Sequence, residues 1–205
     1  MIIIGIAGGT GSGKSTVVRK LLERLPEGEV ALMPQDSYYR DSSNVPLEDR
    51  QKINFDHPDS IEFELLVRHL HELKKGNTVQ QPIYSYLTCT RAAETIPVKP
   101  CHVVIVEGIL VLNNAHLRKM LDLKIFVDTD ADDRLIRVIN RDTMERGRSV
   151  ATVMERYERV LKPMHLQFIE PSKRFADIIV PQGGENHVAI DILTTYIKNC
   201  LLVKK

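Results

Sequence analysis

The eight residues Gly8-Gly-Thr-Gly-Ser-Gly13-Lys14-Ser15 constrain this chain more than any other stretch of it. They follow Ile2-Ile-Ile-Gly-Ile6, a short, continuous, β-branched run of the kind a buried parallel strand shows. They lead into residues 15–25, where Val17, Val18, Leu21, Leu22 and Leu25 fall on one helical face. G-x-x-x-x-G-K-[ST] reads as a phosphate cradle only between a strand and a helix, and that context is present. Glycines allow the backbone N–H groups to converge on phosphate oxygens, and the helix N-terminus adds a dipole that favours anions. Lys14 is expected to reach the β- and γ-phosphates, and the Ser15 hydroxyl to ligate magnesium. The expected nucleotide contacts are Gly8, Gly9, Thr10, Gly11, Ser12, Gly13, Lys14, Ser15 and Thr16. The plainer alternative, a glycine-rich turn with a solvated lysine, leaves the flanking strand and helix unexplained.

The remaining pattern continues the alternation. Strands are predicted at 30–33, 102–106, 123–127 and 177–180. A helix is predicted from a capping box at Asp59-Ser60-Ile61-Glu62 to a stop at Gly76, and another, short, at 117–120. Further helices are predicted at 130–142 and 149–169, broken at Gly147, and at 186–202. Residues 40–58 are polar and rich in turn formers, and 79–86 with 95–98 can pair as a hairpin. Strands alternating with helices imply a parallel sheet covered on both faces. The expectation is a single domain, 1–205, of three-layer α/β/α class with a five-stranded parallel core. A hairpin flap is expected at 79–98 and a helical lid at about 141–170.

Composition narrows the function. Lys and Arg total 28 against 27 Asp and Glu, a net charge of +1 that argues against bulk binding to nucleic acid. Three cysteines, an odd number with no C-x-x-C, argue against a disulfide framework or zinc site and fit a reducing cytosol. No targeting segment is visible. The most apolar stretch, 103–112, contains Glu107 and is half the length of a membrane span.

Glu107 ends the strand at 102–106. An acid there, beside the phosphate loop, is suited to hold magnesium or its waters; as a plain alternative it caps the next turn. Asp36 lies just past the second strand, where a carboxylate could accept the proton of an attacking hydroxyl, or simply start a turn. Arg134, Arg137, Arg141, Arg146, Arg148, Arg156 and Arg159 are nearly half of the chain's 15 arginines, with no lysine among them. Arginine gives bidentate contacts to phosphate, so this segment reads as a lid that closes over a transferred phosphoryl group. The alternative is ion pairing on helix surfaces with Asp142, Glu145, Glu155 and Glu158. Arg146-Gly-Arg148 stands at a helix break, where such pairing offers less.

Together these residues resemble the uridine kinase family. Gln35-Asp-Ser-Tyr-Tyr39, Asn54-Phe-Asp-His-Pro-Asp59, Val106-Glu-Gly-Ile-Leu110, Phe126-Val-Asp-Thr-Asp130, Glu145-Arg-Gly-Arg148 and Phe168-Ile-Glu-Pro-Ser172 are similar to its blocks, in its order. The resemblance implies ATP-dependent phosphorylation of the 5′-hydroxyl of uridine or cytidine, with magnesium, in pyrimidine salvage, GTP being an alternative donor. It implies Asp36 as catalytic base, Asp56 as a grip on ribose hydroxyls, Tyr84 beside the base and Arg148 as a base-side contact. It implies Arg141 and Arg146 as lid arginines that touch phosphate. It also implies a cytoplasmic homo-oligomer, tetramer or dimer, acting on a free nucleoside, with neither nucleic acid nor membrane as partner.

Three positions depart from the family pattern, all on the acceptor side. Cys89 stands where the family usually has His facing the base, Val138 where it has a second arginine near ribose, and Arg156 where it has Gln at the base edge. Arg156 either meets the base as a donor-only group or swings out to pair with Glu155, Glu158 or Glu170. Competing readings are a kinase of the same architecture with another nucleoside or a sugar phosphate as acceptor, a nucleotide-binding switch, and an inactive nucleotide-binding subunit. The switch lacks its Asn-Lys or Thr-Lys guanine-reading element here, and Lys14, Asp36 and Glu107 argue against inactivity.

Overall fold

The computed structural model describes residues 1–50 and 52–202. The chain runs β1 (Ile2–Gly8), α1 (Lys14–Leu22), β2 (Val30–Pro34), α2 (Leu47–Arg50), α3 (Phe63–Lys74), β3 (Val79–Ser85), β4 (Thr90–Val98), β5 (Val103–Glu107) and α4 (Ala115–Met120). It continues through β6 (Leu123–Asp128), α5 (Ala131–Met144), α6 (Val150–Arg156), α7 (Lys162–Met164), β7 (Ile178–Pro181) and α8 (His187–Leu202). Five strands form a parallel sheet in the order β2-β5-β1-β6-β7, and β3 and β4 form a separate antiparallel hairpin.

The apolar runs are buried on both sides of the sheet. Ile4 and Ile6 pack with Val17, Val18 and Leu21 of α1 and with Ile190, Leu193 and Ile197 of α8. Ile3 and Ala7 pack on the other side with Leu66, Leu70 and Leu73 of α3 and Leu117 of α4. Strand side chains alternate faces, so a two-residue period on β1 serves both layers at once. No helix among the described residues is long and apolar enough to cross a membrane.

Strand register decides which side chains meet at the sheet edge. β5 lies between β1 and β2, with Glu107 opposite Ile6 on one side and Pro34 on the other. Glu107, the start of the glycine-rich loop and the turn after β2 therefore share the carboxyl edge of the sheet, where ligands of open α/β sheets bind.

Three elements differ from expectation. The capping box at Asp59 does not start a helix; α3 begins at Phe63, four residues on. Ile61 is held in a bridge to Tyr39, with Glu62 N–H donating to Tyr38 O and Arg40 N–H to Ser60 O, and the Glu62 carboxylate pairs with Arg91 instead of turning back to cap. β4 begins at Thr90 rather than at 95, because Arg91 ties it to the main body through Tyr39 O at 2.8 Å and Glu62 at 2.7 Å. The helix expected at 149–169 is helical throughout but widens into π-type turns at Tyr157–Leu161 and His165–Ile169, around Pro163, which has no N–H to give. The break at Gly147 is present, in the left-handed region with φ 63°.

Past Glu107 the chain turns against Gln35, whose side chain is buried and accepts from Leu110 N at 2.8 Å. A Cβ on Gly108 would sit 2.4 Å from Gln35 Cβ. Gly108→Ala should therefore destabilise the protein by about 1–3 kcal/mol through overpacking, read as a lower urea midpoint at unchanged m-value; an unchanged midpoint would show that the turn yields freely.

Candidate active site

The glycine-rich loop is backed from below by the start of α5 and the end of the π-type helix. Gly11 and Gly13 take φ of 81° and 87°, a region that other residues enter only at a cost, and this lets the loop wrap in front of α1. Arg137 Nη1 donates to Gly11 O and Ser12 O at 3.4 Å, and Thr129 Oγ1 donates to Ser12 O at 2.9 Å. These bonds occupy loop carbonyls. The Ser12 hydroxyl is buried with no partner in the protein, an unsatisfied donor that a phosphate oxygen would satisfy. Gly9 packs closely against Arg134 and His165. Burial and the Arg134 charge push His165 down to about 4, so the imidazole beneath the loop is neutral near pH 7.

Lys14 and Ser15 open α1 and both meet Glu107. Lys14 Nζ lies 3.7 Å from Glu107 Oε1, and Ser15 Oγ donates to that same oxygen at 3.1 Å. A hydroxyl and a carboxylate this close are hard oxygen donors that suit magnesium. No three His, Cys, Asp or Glu side chains among the described residues group to hold a metal by themselves. Magnesium here would take its remaining oxygens from phosphates and water, the usual habit of that ion.

Asp36 is aimed by its neighbours. It sits in a one-turn 3₁₀ segment, Gln35–Tyr38, started by Pro34. Gln35 and Tyr38 are buried on either side of it, and the Tyr38 hydroxyl meets His69 Nδ1 at 3.0 Å. Two inward anchors leave Asp36 at the sheet edge, half-buried, where its Oδ2 accepts from the Tyr86 hydroxyl at 2.6 Å.

Across from it, Asp56 is buried, and its Oδ2 lies 3.8 Å from Arg156 Nη2. Burial raises the Asp56 carboxyl above its ordinary value, against the attraction of Arg156, and the negative charge of Asp36 adds to the rise. Arg156 thus turns inward rather than out to Glu155, which pairs with Arg159 at 3.0 Å. Tyr84 lies in an aromatic group, 5.0 Å from Tyr39 and 6.0 Å from Phe55, and its hydroxyl is buried without a partner. Cys89, at φ 53° in the hairpin turn, gives its thiol to Tyr86 O at 3.6 Å. Val138 is buried with Val153 and Leu161 behind the loop, as packing.

The arginine cluster divides four ways, one of them the surface pair of Arg159 with Glu155. Arg134 and Arg137 brace the loop, Arg156 joins Asp56, and Arg141, Arg146 and Arg148 converge on Asp142 at 2.8, 3.3 and 2.8 Å. Arg146 also lies 5.9 Å above the Tyr86 ring. In the sequence Asp142 is one ion-pair partner among several, and Tyr86 and His165 do not stand out. Asp142 has a visible cue in the Arg141-Asp142 pair beside Arg146 and Arg148; Tyr86 and His165 have none beyond being a tyrosine and a histidine.

Burial alone would raise the Asp142 carboxyl, but the hydrogen bond from Arg141 and the three guanidinium charges outweigh it and hold the group below its ordinary value. With the folded-state pKa below the unfolded one, the ionised carboxylate stabilises the fold above about pH 4, and this is lost as pH falls through the folded-state value. Asp142→Asn should lower the urea midpoint at pH 7, with a gap from the parent protein that narrows as pH falls below about 4. A gap constant from neutral to acid pH would show that the arginines gain nothing from the charge.

Known proteins resemble this chain over nearly its whole length. The phosphoribulokinase / uridine kinase family model matches residues 3–189. A uridine kinase of Clostridium novyi (strain NT) is 53% identical over 204 residues, covering 100% of this chain and 98% of that protein. A uridine kinase of Halalkalibacterium halodurans is 50% identical over 197 residues, covering 96% and 93%. In fold, the D-glycerate 3-kinase of Cryptococcus neoformans var. grubii superposes with a TM-score of 0.63 at 18% identity, over 84% of this chain and 80% of that one. A phosphate loop facing a strand-end acid is common to many kinases, but a match over almost the whole length is not, and on that ground the chain belongs to the phosphoribulokinase / uridine kinase family.

Proposed function

We propose that this kinase transfers the γ-phosphoryl group of ATP to the 5′-hydroxyl of a pyrimidine nucleoside, uridine before cytidine, as a step of pyrimidine salvage. The observation that carries the reading is the meeting of two unlike half-sites at Asp36. On one side lie Lys14, Ser15 and Glu107, suited to phosphates and magnesium. On the other lie a buried carboxylate, Asp56, and an aromatic group in which the Tyr84 hydroxyl lacks a partner. A ribose bearing a flat base offers hydroxyls to the carboxylate and a stacking face to the aromatic group. A sugar phosphate offers no such face. The uridine kinases at 50–53% identity support the same acceptor.

Asp36 accepts the acceptor's hydroxyl proton as that oxygen attacks the γ-phosphorus, and the bond to the bridging oxygen of ADP breaks. Lys14, Arg141 and Arg146 balance the charge on the transferring group. Magnesium, bound through Ser15 and on the side of Glu107, would supply the remaining neutralisation of the phosphates. Arg148 contacts the base side, and Cys89 backs the tyrosines that face it. The donor is ATP, with GTP as an alternative, and the enzyme works in the cytoplasm as a homo-oligomer.

Incubation with ATP, magnesium and a panel of nucleosides and sugar phosphates tests the acceptor class; phosphorylation of a sugar phosphate but of no nucleoside would overturn it. Asp36→Asn should lower kcat by about 10²–10⁴ while ATP binding, measured by calorimetry, is kept; near wild-type turnover would remove Asp36 from the chemistry. Arg156 only donates, which suits the O4 of uracil better than the amino group of cytosine. Arg156→Gln should cut the uridine-to-cytidine ratio of kcat/KM by about 3–10-fold. An unchanged ratio would confine Arg156 to its contact with Asp56.

A further inference from the structure

We infer that Tyr86 is a positioning residue for the transfer, its hydroxyl fixing one oxygen of Asp36 so that the other stays free for the acceptor's hydroxyl. The inference rests on the proposal that Asp36 is the base.

Tyr86 opens the turn just past the hairpin's first strand and is 57% exposed, so packing of the core does not require it. Yet it is tied to three separate parts of the molecule. Its hydroxyl donates to Asp36 Oδ2 at 2.6 Å, in the turn after β2. Its ring lies 5.6 Å from Tyr84 and 6.4 Å from Tyr39, in the aromatic group beside Asp56. The Arg146 guanidinium lies 5.9 Å above it, at the break between α5 and α6. Desolvation around the hydroxyl and the Asp36 charge keep the phenol protonated well above its ordinary range, so Tyr86 is the donor in this bond.

The chemistry comes from carboxylate geometry. An unrestrained aspartate rotates about its last bond and presents either oxygen, at any angle, to an approaching hydroxyl. A short bond from a fixed phenol to Oδ2 sets the plane of the group and leaves Oδ1 for the acceptor, the kind of orientation that general-base catalysis depends on. The phenol neither takes nor gives a proton overall: the acceptor's proton goes to Asp36, and the phenol keeps its own. The hairpin that carries the aromatic group thereby also sets the base. The rival role for the same bond is that the phenol only stands in the place of the acceptor's hydroxyl and leaves when the nucleoside binds.

The two roles differ in kinetics. The test compares wild type, Tyr86→Phe, Asp36→Asn and the double variant, as full-length protein with ATP, magnesium and uridine. Positioning predicts that Tyr86→Phe lowers kcat about 10–150-fold, the loss expected for one hydrogen bond to a charged group. The KM values for uridine and ATP should stay within about twofold, because the bond acts on the base and not on binding. In the Asp36→Asn background the same change should cost less than about twofold. An unchanged kcat with a lower KM for uridine would overturn positioning in favour of the stand-in. An equal loss in both backgrounds would overturn it by showing that Tyr86 acts on something other than Asp36. Asp36→Asn with wild-type turnover would take down both the base and its positioning, whereas a crippled Asp36→Asn beside a fully active Tyr86→Phe would take down the positioning role alone.

Discussion

The site depends on one constraint, the parallel register that sets Glu107 level with Ile6 on one side and Pro34 on the other. Because β5 lies between β1 and β2, the phosphate loop, the strand-end acid and the turn bearing Asp36 leave the sheet at one edge. Lys14 and Ser15 can then share a single oxygen of Glu107 across 92–93 positions of sequence. A one-residue slip of β5 would turn Glu107 to the opposite face of the sheet. The core side chains that hold the register, Ile3, Ile4, Val104 and Ile105, are all fully buried, so the precision of the site is supplied by ordinary packing below it.

Charge is handled by pairing cations that would otherwise repel. Arg141, Arg146 and Arg148 meet on Asp142, Arg134 and Arg137 brace the loop and the turn behind it, and Arg156 meets Asp56. A planar guanidinium can share one carboxylate with two others in fixed geometry, and that favours arginine over lysine in this segment. The same cluster raises the cost of losing Asp142, since three guanidinium groups without their shared carboxylate would repel.

What could be read from sequence was what is local in sequence. The phosphate loop is contiguous and its flanks have clear periodicity, so its strand, turn and helix are legible from that one stretch. Glu107 stands out as a charge ending an apolar strand. Asp36 stands out less, because Asp also starts turns. The helix expected at Asp59 fails for the opposite reason: a local capping pattern is overruled by Tyr39 and Arg91, residues distant in sequence that hold Ile61 extended and take the Glu62 carboxylate. Tyr86 is invisible on the same principle, since its partner lies 50 positions away and only the folded hairpin brings them together. Asp142 carries a cue in its neighbour Arg141, but only the break at Gly147 folds Arg148 back onto it.

The central claim is that phosphate loop and nucleoside pocket meet at Asp36 so that one oxygen, the 5′-oxygen, receives the phosphoryl group. Product analysis tests it most directly: uridine turned over with ATP and magnesium, and the phosphate located by phosphorus–proton coupling in the NMR spectrum of the isolated product. The geometry predicts coupling to the two protons on C5′, and no turnover of 5′-deoxyuridine. Phosphate on the 2′- or 3′-oxygen, or release of ADP and inorganic phosphate with no phosphorylated uridine, would contradict it.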